Sequence, residues 1–191
     1  MNWLLKSILI IYCLFLWNNS SCQFNSARLS VIYGGNLPFN FNSIDDYKNG
    51  IQINNGTILG ITMVDNNVLG ATLEGFTLRF RSFNAQANIE GDVFNLPLNS
   101  IQLEATNNIG LPPAATTIYT GLQDLTIAWI DLVQYTQNPV TPPDFNNLDW
   151  ANHQINISYE CGIANGTLLG YPGDYYTVEI ELELIPTGPG F

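Results

Sequence analysis

The chain has 191 residues, 16 Asp and Glu against 5 Lys and Arg, and a net charge of −11 at neutral pH. Polyanions such as nucleic acid and anionic membrane surfaces would repel it, so both are excluded as principal partners. Only 11% of the residues are charged, and its polarity therefore comes mostly from Asn, Thr, Ser and Gln.

Lys6 followed by the apolar run Ile8 to Trp17 has the pattern of a secretory signal, since ten apolar residues are about half of what a membrane-spanning helix needs. Ser20 and Cys22 stand at the small-residue positions of a cleavage site before Gln23. This divides the chain into a signal peptide, 1–22, and one domain, 23–191, with no transmembrane segment after signal removal. The competing reading is a lipoprotein in which Cys22 becomes the acylated first residue; Asn19 stands where such signals usually carry Leu. Either way the product is exported, to the periplasm, the cell surface or beyond.

Beyond residue 23 short β-type runs alternate with Gly, Asn and Pro. Leu29 to Tyr33 reads as a strand closed by Gly34-Gly35-Asn36, and Phe39 and Phe41 alternate with Asn40 and Asn42 as a second short strand or extended edge. Asp45 to Gly50 reads as a turn. Ile51 to Val64 is interrupted by Asn55-Gly56, a pair that tolerates positive φ and predicts a hairpin. Phe76 to Phe83 alternates cleanly, with Phe76, Leu78 and Phe80 inward and Arg79 and Arg81 outward. Val93 to Leu98 and Ser100 to Ala105 follow, with Pro97 marking an edge or bend. Thr116 to Thr120 and Leu125 to Val133 are further strands; the second changes parity at Ile130 and Leu132, which predicts a bulge or burial on both faces. Asn138 to Asn147, with three prolines, is the longest loop.

His153 to Cys161 is predicted to pair as a hairpin with the last strand, Tyr175 to Leu184. In that strand Tyr176, Val178, Ile180, Leu182 and Leu184 face one way and Glu179, Glu181 and Glu183 the other. The glutamates are placed to pair across strands with Arg79 and Arg81. Short strands at this spacing, without helical periodicity, predict an all-β class: one antiparallel β-sandwich behind a cleaved signal peptide. Of three cysteines, Cys13 and Cys22 lie in the signal, so Cys161 cannot staple the fold; its parity matches Ile155, Ile157 and Tyr159 and marks a buried residue.

No constellation of catalytic residues is evident. His153 is the only histidine and no G-x-S-x-G turn accompanies it. Zinc wants several Cys or His, and the oxygen-rich runs Asp65-Asn66-Asn67 and Asp144 to Asn147 lack the spacing of a calcium loop, so no metal and no cofactor is expected. The three glutamates share a strand face without the apolar enclosure that would raise a catalytic acid. Trp129, Trp150, Tyr171 and Tyr175, with Tyr176, are the candidate binding residues, because flat rings with polar edges can form a platform for sugars. Asn55, Asn156 and Asn165 each begin an N-x-[ST] pattern, the acceptor sequence for N-glycosylation.

The carboxy-terminal segment carries a resemblance. Ile155 to Tyr159, Leu168-Leu169-Gly170, then Tyr171-Pro172-Gly173-Asp174-Tyr175-Tyr176-Thr177 and the alternation after it resemble the end of secreted fimbrial-subunit and spore-coat-U-like, pilin-like proteins. Tyr47 to Ile51 and Leu78 to Arg81 are similar to exported pilin-like proteins of Bacteroidota-type bacteria. The resemblance implies an immunoglobulin-like sandwich with a role in adhesion or envelope assembly, and a protein partner engaged by sheet-edge pairing. Pilins that exchange donor strands lack their own last strand; this chain keeps one, and Gln23 to Arg28 is short and polar for a donor. The expected function is thus a non-enzymatic structural, adhesion or envelope-assembly protein. The alternative is a carbohydrate-binding module at the cell surface, with a polysaccharide as its partner.

Overall fold

A computed structural model of the chain describes residues 26–65, 74–111, 117–136, 148–163 and 168–188. The signal segment, Cys22, Asn165, Asn66-Asn67 and the proline-rich loop with Asp144 lie outside them. The strands are β1 (Ser26–Tyr33), β2 (Ile51–Val64), β3 (Gly75–Ser82), β4 (Asn88–Gly91), β5 (Leu96–Pro97), β6 (Ile101–Ile109), β7 (Thr117–Tyr119), β8 (Gln123–Asp124), β9 (Ile130–Thr136), β10 (Gln154–Cys161), β11 (Tyr176–Thr177) and β12 (Ile180–Thr187).

Two antiparallel sheets make the sandwich that the alternation predicts. One runs β1-β2-β10-β6-β8, the other β12-β3-β9-β7, and a small third sheet, β11-β4-β5, lies beside them. The pairings nest, β3 with β9 inside β2 with β10, so that the chain passes back and forth between sheets through Greek-key-type connections. The inward residues of both sheets interlock: Leu59, Ile61 and Met63 of β2, Leu103 of β6, and Ile155 and Ile157 of β10 meet Phe76, Leu78 and Phe80 of β3 and Leu132 of β9, all essentially without solvent exposure. Each fully buried side chain of this kind contributes about 1.5 to 3 kcal/mol, so the core rests on the central strands.

Several local expectations are corrected. His153 to Cys161 does not form a hairpin with the last strand, because β10 is held on both sides by β2 and β6 and has no free edge; the last strand crosses to the other sheet and pairs with β3. The last strand itself is broken: β11 ends at Thr177 and β12 begins at Ile180, and Ile180, Leu182 and Leu184 are half-buried. Asn55-Gly56 turns no hairpin. Both flanks of β2 pair with β10, and the extra residues bulge out opposite Ser158, with Asn55 at φ 51° and its N–H donating to Ser158 Oγ at 3.1 Å. Phe39 to Asn42 is not a strand; the segment runs irregularly from β1 to a short helix, α1 (Ile44–Asn49).

That helix, in place of a turn, begins at a capping box. Ser43 Oγ accepts from Asp46 N while the Asp46 carboxylate accepts from Ser43 N, and the first turn is acidic, as the helix dipole favours. Behind it, Thr57 Oγ1 donates to Gly34 O at 2.8 Å and lies 2.8 Å from Tyr159 Oη. The buried tyrosine is thereby satisfied, and the start of the 34–42 segment is tied to the bulge of β2. β9 begins only at Ile130, so Leu125 to Trp129 is not strand as expected; within β9 a bulge lies at Leu132, since Leu78 and Arg79 of β3 pair with Val133 and Asp131.

Candidate functional site

A groove of about 1090 Å³ opens where the 34–42 segment and α1 face the stretch from Tyr171 to Leu182. Its floor is the edge of the core, including Thr57, Ile101, Tyr159 and Leu168. One wall carries Phe39, Phe41 and Tyr47, the other Tyr171, Tyr175 and Tyr176. Phe41 and Tyr47 pack against each other with ring centroids 5.2 Å apart and planes tilted by 46°, so the first wall carries an aromatic pair.

The second wall is fixed by one carboxylate. Asp174 Oδ2 accepts from Val93 N at 2.9 Å and Phe94 N at 3.2 Å, while Oδ1 accepts from Tyr175 N at 2.8 Å. The loop after β4 and the turn before β11 are thus latched together. Backbone donors, Val93 first, hold the Asp174 carboxyl below its ordinary value, so it stays ionised as an acceptor. Beside the latch β11 pairs with β4, Tyr176 opposite Gly91. Only glycine fits there, because a Cβ on Gly91 would lie 2.1 Å from Phe94 O and 2.6 Å from the Tyr176 ring.

Two tyrosine hydroxyls approach this turn. Tyr176 Oη donates to Pro172 O at 3.0 Å, and Tyr47 Oη stands 3.8 Å from where a Cβ on Gly173 would be. Desolvation pushes the Tyr176 hydroxyl up, and the Asp174 carboxylate, Tyr47 and Tyr171 add to it. Asp174 and Glu179 are the acidic residues of the lining, and none of the described lining residues is Lys, Arg or His.

The four predicted binding residues do not form one platform. Tyr171 and Tyr175 reach the groove and remain open to solvent, 40% and 75% exposed. Trp129 is half-buried on the outer face of the other sheet, with the guanidinium carbons of Arg79 and Arg81 at 4.5 and 4.3 Å from its ring centroid. Trp150 is 54% exposed in the 148–153 turn, where its Cβ and Ile32 Cδ1 crowd the face of Gly60 in β2. Phe39, Phe41 and Tyr47 were not predicted as binding residues. Their signal was the alternation ahead of the capping box, which reads as strand and not as a groove wall.

His153 serves a turn: its Nδ1 accepts from Asp149 N at 3.1 Å, and Asp149 Oδ1 accepts from Ala151 N and Asn152 N. Cys161 is buried in the core, and burial pushes its thiol up to about 12. Among the described residues no three His, Cys, Asp or Glu side chains are grouped to hold a metal ion. No described helix is long and apolar enough to cross a membrane. Comparison with the known protein families finds no family that matches this chain, and comparison with curated proteins finds no relative.

Proposed function

We propose that this chain is a non-enzymatic exported protein of the cell surface or envelope, which acts in adhesion or assembly by accepting a partner's strand along β1. The observation that carries the reading is the state of that edge. β1 pairs with β2 on one side; no described strand pairs its other side over eight residues, although β12 of the other sheet comes close to it. It contains no proline and one charge, Arg28, and it exposes Val31, Ile32 and Tyr33 in succession. An open edge of this length is a template for main-chain pairing, which proteins usually blunt with charges, proline or shortness. The other three edges of the two main sheets are blunted: β7 and β8 are three and two residues long, and β12 carries Pro186 with Glu181 and Glu183. The signal-like pattern of residues 1–22 supports export, with Cys22 either removed or acylated.

The test is retrieval of a partner from envelope fractions with the wild-type chain and with Ile32→Lys, which puts a charge on β1 at an exposed residue outside the groove lining. Ile118→Lys on the exposed face of β7 is the control. A partner retained by the wild type and the control but lost with Ile32→Lys supports the reading; a chain that stays a solitary monomer overturns it. A second reading, a carbohydrate-binding module, is favoured by four tyrosines, Tyr47, Tyr171, Tyr175 and Tyr176, that line the groove.

A further inference from the structure

We propose that the groove between α1 and the Tyr171 to Leu182 stretch is a binding site for a neutral polysaccharide chain, read by tyrosine rings and hydroxyls in place of a tryptophan platform. The inference rests on the carbohydrate-binding reading and gives it a site and a ligand class.

Size comes first. A groove of about 1090 Å³ lies just above the range, roughly 300 to 1,000 Å³, that holds one small molecule. Being open, it suits several units of a chain better than a single enclosed sugar.

Charge decides the class. The described lining carries Asp174 and Glu179 and no Lys, Arg or His, on a chain of net charge −11. A uronic-acid or sulfated polymer would meet repulsion and no counter-charge. Asp174 is also committed, since both of its oxygens accept backbone N–H groups. It positions the turn and is not poised to neutralise a cationic ligand.

Recognition groups are then what remains. Tyr171 and Tyr175 present exposed rings whose apolar faces can lie on the C–H face of a pyranose. Tyr47 and Tyr171 add hydroxyls that both donate and accept, as a sugar hydroxyl requires of its partner. Asn36, Asn40 and Asn42 line the opposite rim, and an amide offers two donors and an acceptor to the same kind of ligand. The Asp174 latch holds the backbone of one wall and the Phe41–Tyr47 contact braces the other, which lowers the backbone ordering cost left for binding.

Affinity electrophoresis of the exported chain through gels containing laminarin, xylan, galactomannan or dextran tests the site, with polygalacturonate as the anionic arm. At least one neutral polymer is expected to retard the wild type. Replacing Tyr171 and Tyr175 together by Ala is expected to weaken that retardation about tenfold, and Tyr47→Phe, which keeps the ring and removes only the hydroxyl, about threefold. Trp150→Ala should leave it unchanged. Circular dichroism of each variant separates lost binding from lost folding. Retardation that survives the tyrosine substitutions overturns this site while leaving the carbohydrate-binding reading in place. Retardation by polygalacturonate alone overturns the neutral class, and no retardation by any polymer overturns both.

Discussion

Arg81 stacks on Trp129, its guanidinium carbon 4.3 Å from the ring centroid, while its Nε donates to Glu181 at 2.8 Å. Arg79 repeats the arrangement with Trp129 and Glu183. One ring therefore holds two cations that also bridge β3 to the edge strand β12. The ion pairs sit at the surface, where each is worth about 0 to 1 kcal/mol and is screened by salt. A cation over an indole face gains about 0.5 to 1 kcal/mol at an exposed site, and Trp129 also buries apolar area. Trp129→Ala is expected to destabilise by about 2 kcal/mol, and Glu183→Gln by less than about 1. In denaturant melts at 1 M NaCl the Glu183→Gln difference should shrink while the Trp129→Ala difference persists. If salt removes the tryptophan effect instead, the stacking account is wrong.

Cys161 gives a chemical prediction. Its side chain is 4% exposed and burial pushes the thiol up to about 12, so essentially no thiolate exists at pH 8. A water-soluble thiol reagent is expected to leave Cys161 unlabelled in the native protein and to modify it promptly in denaturant, as mapped by mass spectrometry of its peptide. Native-state labelling would mean that the edge of the core beneath the groove opens. Cys161→Ser, which buries a hydroxyl where the thiol packed, should cost about 1 to 3 kcal/mol.

What the sequence makes legible is facing. The alternation at Phe76, Leu78 and Phe80 against Arg79 and Arg81 fixes which side of β3 is dry, and the arginines find Glu183 and Glu181 across the strand pair as that alternation suggests. Sheet membership is not legible in the same way. Ile155, Ile157 and Tyr159 announce a buried face for β10, but nothing local tells whether its neighbours are β2 and β6 or the last strand. Asn55-Gly56 carries a similar ambiguity, since positive φ serves a bulge as readily as a hairpin turn. The aromatic residues show the limit for sites. Trp129, Trp150 and Tyr171 are alike in composition terms, yet two arginines claim the first and the face of Gly60 seats the second. Only the third reaches the groove, beside Phe41 and Tyr47, which stand over 120 residues earlier in the chain.

The Asp174 latch predicts how the protein responds to acid. Backbone donors, Val93 first, hold its carboxyl below the ordinary aspartate value of 3.8. Asp46 is lowered chiefly by its bond with Ser43 and Asp149 chiefly by Asn152. In each case the folded chain takes up its proton at lower pH than the unfolded chain. The stabilisation is therefore fully present above the unfolded value and is lost as pH falls through the folded ones, because below about pH 4 the unfolded state binds more protons. Asp174→Asn removes one such group and, with its amide, can no longer accept all three N–H bonds. The variant is expected to be less stable than the wild type at pH 7, with the difference in urea midpoint narrowing steadily between pH 5 and pH 3. It should also expose the Val93 and Phe94 amides to faster hydrogen exchange at neutral pH, since those N–H groups lose their acceptor. A midpoint difference that stays constant across this range would show that the carboxylate charge does not hold the loop, and that some other contact fixes the wall of the groove.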